Sequence, residues 1–552
     1  MEFPLFWVVV SCAISMSFTF PSAVNSKPLK FDFSHCHRAV LENITFHRVC
    51  CPLKPTKPII DGVPPPLSTE IRVRKALQCT DEDYGVKLKR AYALMRALPN
   101  DDPRSLRQQA EIHCGYCGGS MRDVESHSMI DVHKSWFFLP YHRWFLYFHE
   151  RILQSLLEDP TFTLSYWNWD SPYTVGDGSS ETGACLKQGH DFPAFYNDPL
   201  GATYDANRSE RAKGTGRFRF PDLTFLSEPE TLQNLFKASE QVVIRSNLQV
   251  MHHTMMRGGT TAETFMGRRY RRGDGEAISD TTPVPFGILE GGPHAAVHYW
   301  TGLDSPAFAD MGSVAGSGQD PIFYSHHGNV DRLWEVWKSM GYKDYSDPDF
   351  LNAEFLLYDE NKDLRRVKVA DGLNTTKLGY VYQHANDAAW MYLQQTRCSQ
   401  LTKHKLIARA QTLPSPTQDS EGCYHLQYGT PFIILVDRPD NPHGLEEFLT
   451  IDGIKLESTS NAGFDVFVNF LNPGDYKSPW RCAEYSGRFM HMAENHLSIN
   501  EKQNLGWKQS ITGTLVDIHA LPSPYKLVVT LVPLSPQSDD EIIKFTSIKI
   551  NT

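Results

Sequence analysis

The sequence predicts a mainly helical domain over residues 27–395, followed by an all-β sandwich over 421–552. Three observations carry this expectation. Apolar residues recur at helical spacing in "TDEDYGVKLKRAYALMRAL", "LPYHRWFLYFHERILQSLLE" and "DPIFYSHHGNVDRLWEVWKSMGY". After residue 420 the character changes to strand-like runs, "FIILVD", "GFDVFVNF", "GTLVDIHAL" and "YKLVVTLVPL", separated by turns. Between the two, "QLTKHKLIARAQTLPSPTQDS" breaks at Pro and polar residues and marks a linker over 396–420.

Taken in order, the chain opens with the apolar run "PLFWVVVSCAISMSFTF" and the small residues "PSAVNS". Together they predict a secretory signal peptide over residues 1–26. The segment is neither Arg/Ser-rich nor amphipathic, so no plastid transit peptide is expected, and the destination is the vacuole or the cell exterior. Residues 27–70 are dense in Pro and Lys and predict an extended arm. A helix then starts with Thr80 as N-cap, and a second begins at Pro140, with Tyr141, Trp144, Phe145, Phe148 and Ile152 on one face. Residues 170–220 and 257–285 read as long loops, which in a compact domain cover or build a site.

Length and charge narrow the function classes. The chain has 552 residues, enough for two substantial cores, and a net charge of −10, so nothing recommends a nucleic-acid partner and none is expected. No segment after the signal is long and apolar enough to span a bilayer. Asn43, Asn207 and Asn374 begin glycosylation sequons. Of the eleven cysteines, Cys36, Cys50, Cys51 and Cys114 are candidates for disulfides that staple the arm, in a connectivity the spacing leaves open.

Histidine placement carries the chemistry. "EGGPHAAVHYW" sets His294 and His298 one helical turn apart. His113 lies in "HCGYC", His133 and His142 flank "HKSWFFLPYH", and His326 and His327 open "HHGNVDRLW". Two sets of three imidazoles would serve two metal ions. All-imidazole ligation suits Cu, Zn or Fe, and no carboxylate is spaced to join either set, which argues against common hydrolytic zinc and non-haem iron sites.

"HCGYC", "HKSWFFLPYHRWFLYFHERIL", "YWNWD", "PHAAVHYWTG" and "DPIFYSHHGNVDRLW" together resemble the tyrosinase superfamily, specifically plant polyphenol oxidases. The resemblance runs from about residue 32 through "GFDVFVN". It implies a four-helix-bundle core around a type-3 dicopper centre, with His113, His133 and His142 on one copper and His294, His298 and His327 on the other. His326 is then a neighbour, not a ligand. It also implies a thioether between Cys117 and His133, disulfides Cys36–Cys51 and Cys50–Cys114, and a water-holding Glu290 that assists phenol deprotonation. Cys79, Cys185, Cys398, Cys423 and Cys482 stay without assigned partners, and Asp331 and Arg332 are structural. His149, His252 and His253 fall outside the copper pattern.

The expected activity is oxidation of o-diphenols to o-quinones with O₂ as co-substrate. The β domain would shield the site until a protease cuts the linker. Departures bear on substrate. Val314 stands where relatives often carry a phenylalanine, Ala295 where monophenol-hydroxylating relatives carry an asparagine, and Tyr299 at a second pocket wall. Together they favour diphenol oxidation and a roomier pocket. The alternatives are a tyrosinase that also hydroxylates monophenols, a specialised phenolic-biosynthesis oxidase, a haemocyanin-like O₂ carrier, or a structural zinc protein. Oligomeric state is not legible.

Overall fold

The computed structural model describes residues 27–36, 51–118, 120–171, 189–224, 239–274, 284–303, 309–383, 388–441, 443–456, 462–475, 479–491, 503–521, 526–534 and 543–552. The segment read as a signal peptide, the Asn43 sequon, Cys50 and Cys185 lie outside them.

The longer helices of the first part, with the short one that carries His298, are α1 (Glu82–Ala97), α2 (Leu106–Cys117), α3 (Phe138–Leu157), α4 (Glu240–His252), α5 (Ala295–Thr301) and α6 (Ile322–Ser339). The N-cap of α1 is Asp81, not Thr80. The Asp81 carboxylate accepts the Tyr84 amide at 2.8 Å, while the Thr80 hydroxyl is taken by the carbonyl of Leu77. Helix α3 starts two residues before Pro140, which sits in the first turn, where a missing N–H leaves no bond unmade. Every side chain from Phe138 to Gln154 is buried, so α3 is the central element, packed against α1 and α6.

A buried polar knot fixes α3 against α6. The Asp331 carboxylate accepts Arg143 Nε at 2.6 Å, Tyr380 Oη at 2.8 Å and Tyr382 Oη at 2.6 Å. Arg74 stands 3.6 Å from the same carboxylate and is held by Glu150 at 2.9 Å. A short parallel pairing of Arg72–Arg74 with Tyr380–Tyr382 delivers these residues from opposite ends of the helical part. Burial pushes the Asp331 carboxyl up, but the Arg143 and Arg74 charges and the tyrosine hydroxyls outweigh it and hold it below the usual carboxylate range.

The strands that matter for the site are β1 (Val284–Pro285), β2 (Glu354–Tyr358), β3 (Leu364–Lys368), β4 (Tyr424–Leu426), β5 (Phe432–Val436), β6 (Phe448–Leu456), β7 (Ala462–Val468), β8 (Tyr485–His491), β9 (Gln503–Ser510), β10 (Leu527–Leu534), β11 (Ile543–Phe545) and β12 (Ser547–Asn551). One sheet runs β5-β10-β7-β8 and the other β1-β9-β6-β11-β4, with β12 also on β6. Their inner faces share a core that includes Phe464, Val466, Leu505, Trp507, Val529 and Leu531. The second sheet is not confined to the C-terminal part. Strand β1, which leads into the Glu290 segment, pairs in parallel with β9 through Val284↔Leu505 and Pro285↔Gly506.

Three sequence expectations change. The run "GTLVDIHAL" forms a helix over Thr512–Asp517, because Ile511, Leu515 and Ile518 are buried at helical spacing while Val516 is exposed. The 400–420 stretch begins as helix α7 (Lys403–Gln411), whose Leu406 and Ala410 pack on Leu471 and Val528; only the part after it is extended and mostly exposed. The β2–β3 hairpin inside the helical part was not anticipated.

Candidate metal centre

Four elements bring seven histidines together. His113 comes from α2 and His142 from α3, and His133 precedes α3 in a turn. His294 ends the turn that leads into α5, His298 lies on α5, and His326 and His327 lie on α6. His113, Cys117, His133 and His142 form one buried cluster; His294, His298, His326 and His327 form the other. The two abut, with the His142 and His327 rings stacked at 4.2 Å and the His133 and His294 rings 6.3 Å apart.

The ring nitrogens are arranged as ligands. His142 Nδ1 meets the carbonyl of Phe138 at 2.7 Å, His294 Nδ1 that of Glu290 at 3.1 Å, and His298 Nδ1 that of Met311 at 3.1 Å. A donor N–H there leaves Nε2 with a lone pair facing inward. His294 Nε2 is buried without a hydrogen-bond partner. His142 Nε2 faces His113 Nε2 at 3.3 Å, and His298 Nε2 faces His327 Nε2 at 3.4 Å. Imidazole nitrogens bind such metals at about 2.0–2.1 Å, so two of them at a tetrahedral angle stand about 3.3–3.4 Å apart. Burial pushes the rings toward the neutral, ligating form, His298 down to about 3 and His113, His142, His294 and His327 well below the usual histidine range. No carboxylate joins either cluster among the described residues, which fits copper better than magnesium or calcium.

One glycine is decisive for the second cluster. A Cβ on Gly302 would strike the Gly312 backbone, so only glycine lets the 309–313 turn close on the end of α5 and present the Met311 carbonyl to His298.

Both clusters open on one small cavity. His113, His133, His294, His298, Glu290, Ala295 and Val314 line it. Tyr299 does not; its half-buried ring lies under the Arg211 guanidinium, 5.2 Å away. Glu290 is buried, and its Oε1 accepts the Lys134 amide at 2.7 Å. Cys117 is a buried thiol whose Sγ lies within 4.8 Å of its cluster's imidazole nitrogens. Cys36–Cys51 is bonded, and Cys114 is disulfide-bonded as well. Cys398 and Cys482, unassigned from sequence, pair with each other. His149, His252 and His253 are core residues: His149 stacks on Tyr324 and His252 Nδ1 meets the Trp390 carbonyl.

Sequence reasoning missed Lys134, Phe286, Ser317, Met490 and His491 in the lining. Adjacency to His133 could have suggested Lys134. Nothing local marks Met490 and His491, which end β8 in the C-terminal part and reach the cavity across the chain. They are held there by Arg488, which pairs with Asp465 at 2.8 Å and donates to the Leu223 carbonyl. Lys508–Glu263 and Arg257–Asp517 ion pairs, at 2.9 and 3.0 Å, cross the same boundary.

Such a centre defines a binuclear-metal protein, and comparison with known proteins agrees. Residues 103–340 match the common central domain of tyrosinase, 344–396 the polyphenol oxidase middle domain, and 435–552 the chloroplastic polyphenol oxidase C-terminal domain. The chain is 36% identical to a chloroplastic polyphenol oxidase of Malus domestica over 91% of its own length and 81% of the relative's. It is 34% identical to aureusidin synthase of Antirrhinum majus over 99% and 93%. Latent apple tyrosinase superposes with a TM-score of 0.75 at 36% identity, covering 90% of this chain and 99% of that one. The chain belongs to the plant polyphenol oxidases of the tyrosinase family, copper oxidoreductases whose binuclear centre the two clusters suit.

One expectation is overturned. Relatives from Malus domestica, Vitis vinifera and Prunus armeniaca are named chloroplastic, which points to the plastid and not to the secretory pathway. An apolar run followed by small residues signals translocation, but it does not specify which membrane is crossed. Among the described residues, no helix is long and apolar enough to cross a membrane.

Proposed function

We propose that the chain oxidises o-diphenols to o-quinones, coupled to reduction of O₂ to water, and is latent until its C-terminal part is displaced. Each catechol gives up two electrons and two protons, so two catechols balance one O₂. The observation that carries the reading is the pair of abutting imidazole clusters open to a single cavity. His113, His133 and His142 would hold one copper and His294, His298 and His327 the other. His327 is preferred to His326 because its Nε2 faces His298 Nε2. When bound, copper supplies the electron transfer between catechol and O₂.

The chain's own groups supply the rest. Glu290, at the cavity wall, is placed to take a phenol proton directly or through a water, and its bond to the Lys134 amide fixes its orientation. A Cys117–His133 thioether would remove the last rotamer freedom of that ring. Val314 leaves room above the second cluster for a bulky ring. Ala295 brings no polar atom to help Glu290 hold a water, which supports diphenol oxidation over monophenol hydroxylation. Met490 and His491, from the C-terminal part, line the cavity beside the histidines, which supports latency. Oxygen uptake with 4-methylcatechol against tyramine as sole substrate, after displacement of the C-terminal part, is the test. Turnover of the catechol alone supports the reading; equal turnover of tyramine without a lag contradicts it.

A further inference from the structure

Cys398 lies just before the segment where a linker cut would fall, and it is bonded to Cys482, 84 residues on, in the turn that enters β8. The joint is a built clasp. The Thr396 carbonyl accepts the Ala483 amide at 2.9 Å, and the two oxygens of the buried Glu484 carboxylate accept the amides of Cys398 and Ser399 at 3.0 and 2.7 Å. The chain from the last residue of α7 onward, residues 411–415, is exposed. Any single backbone cut between residues 399 and 481 therefore leaves both fragments covalently joined. Met490 and His491 follow Cys482 by eight and nine residues, so the tether holds the part of the shield that lines the cavity.

We propose that Cys398–Cys482 is a thiol–disulfide exchange site, and that its reduction by a dithiol decides whether a linker cut releases the shield. The proposal rests on the latency reading above. While the disulfide is intact, a cut shield rebinds intramolecularly at an effective concentration of about millimolar, and the shared β1–β9 pairing and the two boundary ion pairs keep it seated. Once the disulfide is reduced, rebinding is bimolecular, and at about micromolar protein the same contacts act at roughly a thousandfold lower concentration. Exchange begins at Cys398, which is half-buried while Cys482 is buried. A reductant thiolate attacks Cys398 Sγ, forms a mixed disulfide and expels the Cys482 thiolate, which takes a proton. The second reductant thiol then attacks the mixed disulfide, freeing Cys398 and closing the reductant's own disulfide. Two electrons and two protons pass to the pair.

The test uses full-length copper-loaded protein cut by limited proteolysis within 411–418, then desalted and diluted. Three samples are compared: untreated, treated with dithiothreitol before desalting, and a Cys398→Ser variant that needs no reductant. Uncut Cys398→Ser must melt with the wild type; if it does not, Cys482→Ala replaces it. Non-reducing gels and size exclusion read fragment separation, and catechol-dependent oxygen uptake reads activity. The untreated cut protein is expected to run as one species with activity within about twofold of uncut protein, whereas the reduced and variant samples separate and gain at least tenfold. Fragments that separate without reduction, or that stay together on dilution after cutting of Cys398→Ser, overturn the proposal. Separation on reduction with no gain in activity upholds the tether and sinks the latency reading instead.

Discussion

Replacing Asp331 with Asn removes the charge that joins α3 to α6 behind the metal centre. Arg143 follows His142 directly, and Asp331 lies one turn after His327, so the knot sets the relative register of two helices that carry the clustered histidines. Breaking a buried ion pair by removing one partner costs about 3–5 kcal/mol. Arg143 keeps Glu335 at 2.6 Å and Arg74 keeps Glu150, so the lower end applies, about 3 kcal/mol. With an unfolding entropy of about 2.1 cal/mol/K per residue over roughly 370 helical-part residues, that is a fall in Tm of about 4 °C. Scanning calorimetry of copper-loaded protein at pH 7 measures it. Glu335→Gln is the control, and its more exposed pair should cost under about 1 kcal/mol. The acid limb gives the sign. The Asp331 carboxyl is held below its usual range, so its stabilisation is complete above the unfolded carboxyl pKa and is lost as pH falls through the folded one. The gap between wild type and Asp331→Asn should therefore narrow as pH drops below about 4. A variant that melts with the wild type at pH 7 and keeps its copper would refute the reasoning.

Other substitutions probe the site itself. Gly302→Ala should push the 309–313 turn off α5, cost His298 its Met311 carbonyl and lower copper content toward one per chain; full copper loading would contradict this. Glu290→Gln should keep both coppers while catechol turnover falls by about 10²–10⁴-fold, and an unchanged kcat removes Glu290 from proton transfer. Val314→Phe should raise KM for bulky catechols by about tenfold and leave 4-methylcatechol nearly untouched; equal effects on both would show that Val314 does not set pocket size. Cys36→Ser opens a disulfide closing a loop of 15 residues and should cost about 3 kcal/mol, read by urea unfolding, with no loss meaning the arm is held by packing alone.

The segments that carry the clustered histidines were legible because their signals are local. His294 and His298 are one turn apart, and His142 sits in a long apolar helix that had to be buried. What stayed hidden depends on contacts distant in sequence. No periodicity says that Met490 and His491 reach a cavity otherwise lined by residues between His113 and Ser317, or that β1 joins a sheet of the C-terminal part. "GTLVDIHAL" was ambiguous in itself: Val516, Ile518 and Ala520 alternate like a strand, whereas Ile511, Leu515 and Ile518 recur like a helix, and burial of the second set decides. Tyr299 was placed at the pocket by its neighbour His298, but its ring is drawn instead to Arg211. Cys398 and Cys482 could not be matched from sequence, since spacing alone never fixes a pairing.

Electron paramagnetic resonance of the fully copper-loaded, oxidised protein, with copper counted per chain, addresses the central assignment most directly. Two clusters that abut as these do should hold two coppers per chain close enough to couple, giving almost no signal for the copper present. A spectrum of isolated Cu(II) that accounts for the whole copper content would contradict it.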